Sequence, residues 1–196
     1  MLRVFSILLF VSFLFFSCVK KGEIVLQDEK PEDILKYVNY NRGVLWERIE
    51  HFRKVLSTYD EAVTHKCGTP QSEELKDTYP LKQTLEGGLY TRQLFMPKGN
   101  IVISMIHRQQ HPSFLLKGKV SYLTDSGELV TVEAPHVIFT QIGTQRVFYI
   151  HEDTDWCCVY KTDAKTFEEA EADVYTEDYT TLPPLIIKKE LALWQD

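Results

Sequence analysis

From Leu89 to Lys161 apolar and polar residues alternate in short runs, each ended by turn chemistry. The runs are Leu89–Phe95, Asn100–His107, Ser113–Lys117, Lys119–Thr124, Glu128–Glu133, His136–Thr140, Gln145–Ile150 and Asp155–Lys161. A period of two is the mark of a strand with one face buried, because successive side chains point to opposite sides of the sheet. The breaks include Met96-Pro97-Lys98-Gly99, Asp125-Ser126-Gly127, Ala134-Pro135 and Ile142-Gly143. Asp-Ser-Gly between two alternating runs is a hairpin signal. Short strands at this regular spacing predict a sandwich or a small barrel.

Upstream the period is helical. Val44, Leu45, Ile49, Phe52, Val55, Leu56 and Tyr59 recur three and four residues apart, with Glu47, Arg48, Glu50 and Lys54 on the other side. This predicts an amphipathic helix within Glu32–Tyr59, with a shorter one over Pro31–Tyr40. Its stripe is expected to pack on the domain that follows; a partner-binding or oligomer-forming face is the open alternative. Residues 65–90 hold Gly68, Pro70, Pro80, Gly87 and Gly88 with little periodicity, and are read as a long connection. Thr166–Tyr175 is predicted as a short acidic helix whose Glu168, Glu169, Glu171 and Asp173 face water. Leu182-Pro183-Pro184 then breaks the chain before Leu185–Leu193, an edge strand or a helix. The expected division is a leader (1–18), a polar tether (19–31), a helical extension and connection (32–90), a β-barrel (91–162) and a C-terminal helix and tail (163–196).

The leader has a cationic start, Met1-Leu2-Arg3, and an apolar run from Val4 to Phe16. That run is shorter than the roughly 20 residues a spanning helix needs, and it reads as a secretory signal. Its end, Ser17-Cys18, resembles a bacterial lipoprotein cleavage site, which implies lipid on Cys18 and a protein that is exported or held at a membrane. An uncleaved anchor or a buried N-terminal element, with a cytoplasmic or virion location, is the alternative. Composition adds exclusions: 22 basic against 28 acidic residues give a net charge of −6, which argues against nucleic acid as a partner. With 44% hydrophobic residues the chain has material for a core and does not read as disordered. Cys157 and Cys158 are adjacent and would point to opposite faces of a strand, so they are poor disulfide partners. The cysteines are read as small buried hydrophobes, with a bridge from Cys67 to one of that pair as the alternative. Gly-x-Ser-x-Gly, His-Glu-x-x-His and a glycine-rich phosphate loop are all missing from the sequence.

The stretch from Gly99 through Met105, His107, His111 and Leu115-Leu116-Lys117 to Gly118 resembles the first motif of the cupin superfamily. Ala134-Pro135-His136 and Gln141-Ile142-Gly143-Thr144-Gln145-Arg146 resemble the second. Met96-Pro97 and His151-Glu152-Asp153-Thr154-Asp155-Trp156 are also similar to small cupin-like proteins encoded by tailed phages. The resemblance covers about Arg92 to Asp178. It implies a mainly β fold, a cupin-like jelly-roll barrel, here with an N-terminal amphipathic helix and a short C-terminal helix. It also places Met105, His107, His111 and Arg146 at the four positions that hold metal in the family. Two of these are unsuited: a guanidinium has no lone pair to give, and two histidines alone fall short of the usual iron set of two histidines and a carboxylate.

Three functions follow as expectations. The first is a non-catalytic binding or accessory module without a cofactor, in which His107, His111 and Arg146 present donors to a small anionic or sugar-like ligand. The second is a metal-dependent oxygenase or isomerase, with Fe, Mn, Ni or Zn on His107 and His111 and His136 or His151 completing the set. The third is a structural or virion-associated protein, with homo-oligomers in view. Against all three stands a plain structural reading: His111-Pro112 as a turn, His107 half-buried, and Arg146, on the strand after Gly143, paired to Glu133, Glu152 or Asp153. Cys67 is too isolated to be read as a nucleophile, and Glu152, Asp153 and Asp155 are read as a solvated turn.

Overall fold

The computed structural model describes residues 45–58, 62–124 and 126–183. The leader with Cys18, the tether, the Pro31–Tyr40 helix and the Leu185–Leu193 run lie outside them. Among the described residues no helix is long and apolar enough to cross a membrane.

The chain from Leu89 to Lys161 is one long hairpin, rolled up. At its tip β6 (Lys119–Leu123) pairs with β7 (Leu129–Glu133) across the predicted Asp-Ser-Gly turn. Moving outward, β5 (His111–Lys117) pairs with β8 (His136–Thr140), β3 (Ile101–Ile103) with β9 (Val147–Ile150), and β2 (Leu89–Met96) with β10 (Thr154–Lys161), all antiparallel. Alternate pairs fall into opposite sheets. The β10·β5 contact joins one sheet and the β6·β9 contact joins the other. Two packed antiparallel sheets made from a rolled hairpin are a jelly roll. The protein is therefore mainly β, with the cupin-like jelly roll that the motifs imply.

Alternation along the strands builds the core. On β10 the residues Trp156, Cys158 and Tyr160 are buried while their neighbours are half exposed. They pack with Tyr90, Met96, Leu115, Val120, Phe148 and Ile150 from both sheets. Each such side chain, taken out of water, contributes about 1.5–3 kcal/mol. The helix α1 (Leu45–Leu56) lays Ile49 and Phe52 on Leu123 and Val147, so its stripe does pack on the domain. Arg48 departs from the expected wet face and is buried.

Residues 65–90 are more ordered than their composition suggests. They contain α2 (Glu73–Thr78), whose N-terminus is capped by the Ser72 hydroxyl accepting from the Leu75 N–H at 3.2 Å, and β1 (Leu81–Glu86). The Gly87-Gly88 pair, with φ of 60° and 77°, is the two-residue turn joining β1 to β2. Successive positive φ values suit a tight hairpin, and glycine adopts them without penalty. The predicted strand Asn100–His107 is split at Ser104, whose N–H donates to the Arg146 carbonyl at 2.9 Å. Beyond the split lies β4 (Ile106–His107), which pairs with β11 (Tyr175–Thr176). Arg146 itself precedes β9 and does not lie on it. The acidic helix α3 spans Phe167–Val174, and a 3-10 turn follows at Tyr179–Thr181. Cys67, Cys157 and Cys158 are free thiols, which corrects the disulfide alternative. Burial, reinforced by the Glu171 and Glu177 carboxylates, pushes the Cys67 thiol up to about 11, so it stays protonated and unreactive.

Candidate functional site

The fold brings His107, His111 and Arg146 into one buried cluster. His107 ends β4 and His111 begins β5; their rings lie 4.6 Å apart, and each residue is less than 5% exposed. Tyr160 of β10 lies 4.1 Å from the His111 ring, and Tyr175 of β11 lies 5.2 Å from the His107 ring. Arg146 is held by its backbone to Ser104, and its guanidinium sits over the Tyr122 ring at 5.3 Å.

The hydrogen bonds have one consistent direction. His111 Nδ1 lies 2.9 Å from the Gln109 carbonyl, which can only accept, so Nδ1 carries the proton. Its Nε2 is then an acceptor for the Ser113 hydroxyl at 3.2 Å. Ser113 accepts in turn from the Thr140 hydroxyl at 2.8 Å, and Thr140 Oγ1 accepts from Arg146 Nη1 at 3.1 Å. Both nitrogens of His111 are thus engaged, Nδ1 by Gln109 and Nε2 at the head of the chain of hydroxyls that ends on Arg146. His107 differs. Its Nδ1 lies 3.0 Å from the Tyr160 hydroxyl, which donates to the Tyr175 hydroxyl at 2.7 Å. Tyr160 therefore accepts from His107 Nδ1–H, and among the described residues the Nε2 lone pair is left for a ligand.

Electrostatics fix these protonation states. Burial, then His111, Arg146 and Arg92, hold His107 well below the usual imidazole range. Burial and Arg146 lower His111 to about 4, against the opposing pull of the Gln109 carbonyl. Burial raises Tyr160 and Tyr175, so both phenols keep their protons. A histidine whose folded pKa is depressed makes the unfolded chain the better proton binder below the ordinary value of 6.5. Stability is therefore expected to fall as pH drops from 6.5 toward 4, at about 1.4 kcal/mol per pH unit for His111, with His107 acting in the same direction. Denaturant unfolding at pH 7 and pH 5 measures the loss. An NMR titration in which both rings protonate near pH 6.5 would contradict it.

A second buried network sits beside the first, and neither of its main members stands out in the sequence. Glu171 of α3 is buried, in contrast to the solvated face expected for it. Its Oε1 accepts from Arg92 Nε and Gln83 Nε2 at 3.3 Å and from the Tyr90 hydroxyl at 3.5 Å. Its Oε2 lies 3.2 Å from His65 Nε2 and accepts from the Gly68 N–H at 3.3 Å. Burial alone would raise this carboxyl, but His65, Arg92 and the Gly68 N–H outweigh it and hold the group below the usual carboxylate range. The signal for Arg92 was its place in the alternation Tyr90, Arg92, Leu94, Met96: a cation at an inward position.

A cavity of about 870 Å³ opens next to the cluster, within the size range of small-ligand pockets. It lies between β2, through Arg92, Leu94 and Met96, and the Ile101–His107 segment, with Arg146, Phe148 and Trp156 at its back. α1, residues 62–66, the Gln71–Tyr79 stretch through Gln71, Leu75 and Tyr79, and Tyr175–Tyr179 also line it. His107 and Arg146 line it, whereas His111 lies behind it.

The donors present do not fit a divalent metal. Among the described residues no group of three His, Cys, Asp or Glu side chains gathers at one point. His136 is exposed and pairs with Leu115, at the opposite end of β8 from Thr140, which faces His111. His151 is bonded to the Ser121 hydroxyl at 2.6 Å and packs edge-on to Tyr149. Neither completes a set with His107. Of the carboxylates expected to pair with Arg146, Glu133 faces Lys119 at 3.9 Å and Asp153 accepts from the Lys98 N–H at 3.0 Å.

No protein-family model matches this chain, and no curated protein matches it. Solved structures do match over part of its length. The Clostridium difficile EutQ protein is 17% identical with a TM-score of 0.36, over 43% of this chain and 64% of that one. A cupin domain of an XRE family transcriptional regulator from Enterobacter cloacae is 9% identical with a TM-score of 0.38, over 44% of this chain and 99% of that one. Ectoine synthase from P. lautus is 10% identical with a TM-score of 0.39, over 43% and 64%. The likeness is one of fold. The chain spans about 64% of the length of EutQ and of ectoine synthase.

Proposed function

We propose that this protein is a non-catalytic, metal-free binding or accessory module whose cavity holds a small ligand through His107 and Arg146, with His111 fixing Arg146 from behind. One observation carries this reading. Of the four positions that would hold a metal, His111 is spent on Gln109 and Ser113, Arg146 has no lone pair, Met105 offers a thioether, and only His107 keeps a nitrogen for a ligand. A cation beside a neutral imidazole is a recognition surface. With its pKa held so low, His107 is a weak base and a good neutral acceptor. In the same reading the leader and Cys18 tether the module to a membrane, which makes it an envelope or accessory component. Elemental analysis of the full chain, purified after growth with added Fe, Mn, Ni and Zn, tests the central point. Less than a tenth of an equivalent of any metal is expected, and a stoichiometric metal would replace this reading with the metal-enzyme one.

A further inference from the structure

The formal Lys, Arg, Asp and Glu charges around the cavity cancel. Four Lys or Arg side chains lie on its lining against three carboxylates there, and a fourth carboxylate, Glu171, is bonded to Arg92 from behind. Some of these charges are already spent on neighbours. Arg53 holds Glu50 through bonds of 2.7 and 2.8 Å, and Asp178 accepts from the N–H and hydroxyl of Thr180. A balanced lining favours a neutral ligand, because an ion would meet as much repulsion as attraction there.

The groups left for a ligand, among the described residues, are mixed in direction. His107 Nε2 accepts, since Nδ1 carries the proton given to Tyr160. The Tyr175 hydroxyl accepts from Tyr160 and still has its own proton to donate. Arg92 gives Nε to Glu171 and keeps its terminal nitrogens as donors. Gln145 gives its amide N–H to the Ser104 carbonyl at 3.0 Å and keeps its side-chain oxygen as an acceptor. All four residues line the cavity, and His107 and Tyr175 are each less than 5% exposed. A carboxylate would satisfy only the donors of such a set and an ammonium only the acceptors. A hydroxyl both donates and accepts, so a ligand with several hydroxyls satisfies both kinds. One wall is also suited to a sugar ring. Trp46 of α1 is half-buried, lines the cavity and stacks with Tyr179 at 5.2 Å, which gives the C–H face of such a ring a flat apolar surface.

Building on the binding-module reading, we infer that the ligand is a neutral saccharide: its hydroxyls donate to His107 Nε2 and Gln145 and accept from Tyr175 and Arg92, and a ring face packs on Trp46.

Isothermal titration calorimetry on the full chain tests this, with glucose, galactose, mannose, maltose and cellobiose as neutral probes. Glucuronate, glucosamine and octanoate are the charged comparisons. At least one neutral sugar is expected to bind saturably at millimolar concentration, and the charged compounds no more tightly. His107→Leu, which removes the buried acceptor, should weaken that sugar about tenfold. A charged compound that binds about tenfold more tightly than every neutral sugar, or octanoate binding alone, would overturn the saccharide assignment and leave the binding module intact. A folded His107→Leu protein that binds the sugar like wild type would overturn the placement at His107. Saturable binding by none of the probes would remove both the saccharide and the module. The neutral-against-charged comparison uses the unaltered protein, so it decides the matter even if the variant does not fold.

Discussion

Glu171→Gln is expected to remove about 3–5 kcal/mol of stability, the usual cost of breaking a buried ion pair by deleting one partner. The reason is where Glu171 sits. Its carboxylate ties α3 to Arg92 and Tyr90 of β2, to Gln83 of β1, and to His65 and Gly68 of the segment that lines the cavity. Arg92 and His65 are themselves only 15% and 12% exposed, so water does not take over when the charge is lost. For a chain of this size the melting temperature should fall by on the order of 10 °C. The pH dependence gives a second check. The folded pKa of Glu171 is depressed, so its contribution is complete above the ordinary carboxylate value and is lost as pH falls through the folded one. Wild type and variant should therefore differ most at neutral pH and converge in acid. A loss below 1 kcal/mol at pH 7 would show that the network is incidental.

Gly118→Ala is expected to cost about 2–4 kcal/mol, from backbone strain and overpacking together. Gly118 is the single residue between β5 and β6, where the chain leaves one sheet for the other. Its φ is +89°, and a Cβ there would lie 2.5 Å from the Asp153 carbonyl oxygen and 2.5 Å from Thr154 Oγ1. Backbone on the neighbouring corner cannot move aside as the end of a long side chain would. Gly87→Ala is the control. Its φ of +60° is also positive, but nothing lies within 4 Å of the added carbon, so only strain of about 1 kcal/mol remains. Urea midpoints for the two variants should differ clearly; equal midpoints would mean that the corner yields.

The roll was legible in the sequence because alternation and turns are local signals. Asp125-Ser126-Gly127 marked the hairpin tip, and the resemblance to the two cupin motifs put His107, His111 and Arg146 together. β1 was hidden because Gly87-Gly88 and Pro80 read as loop composition, although the two glycines form a tight turn. Glu171 was hidden for a different reason: the helix also carries Glu168, Glu169 and Asp173, and composition does not say which acidic residue faces inward. The roles within the site were legible only in part. Residue type identified His111 as a donor or ligand, but the carbonyl of Gln109 and the hydroxyl of Ser113 consume both its nitrogens, and such local geometry has no sequence signature.

The nested order of strand pairs bears on how the molecule is assembled. At the tip, Leu123 meets Leu129 almost at once, whereas Met96 and Thr154 must find each other across nearly the whole roll. Closing a long loop costs more entropy before any contact repays it, so the outer pairs come late. The cavity is bounded by β2 and β3, strands of those outer pairs. By the same loop-closure argument these two walls are expected to form late, and a bound ligand would act there as a clasp.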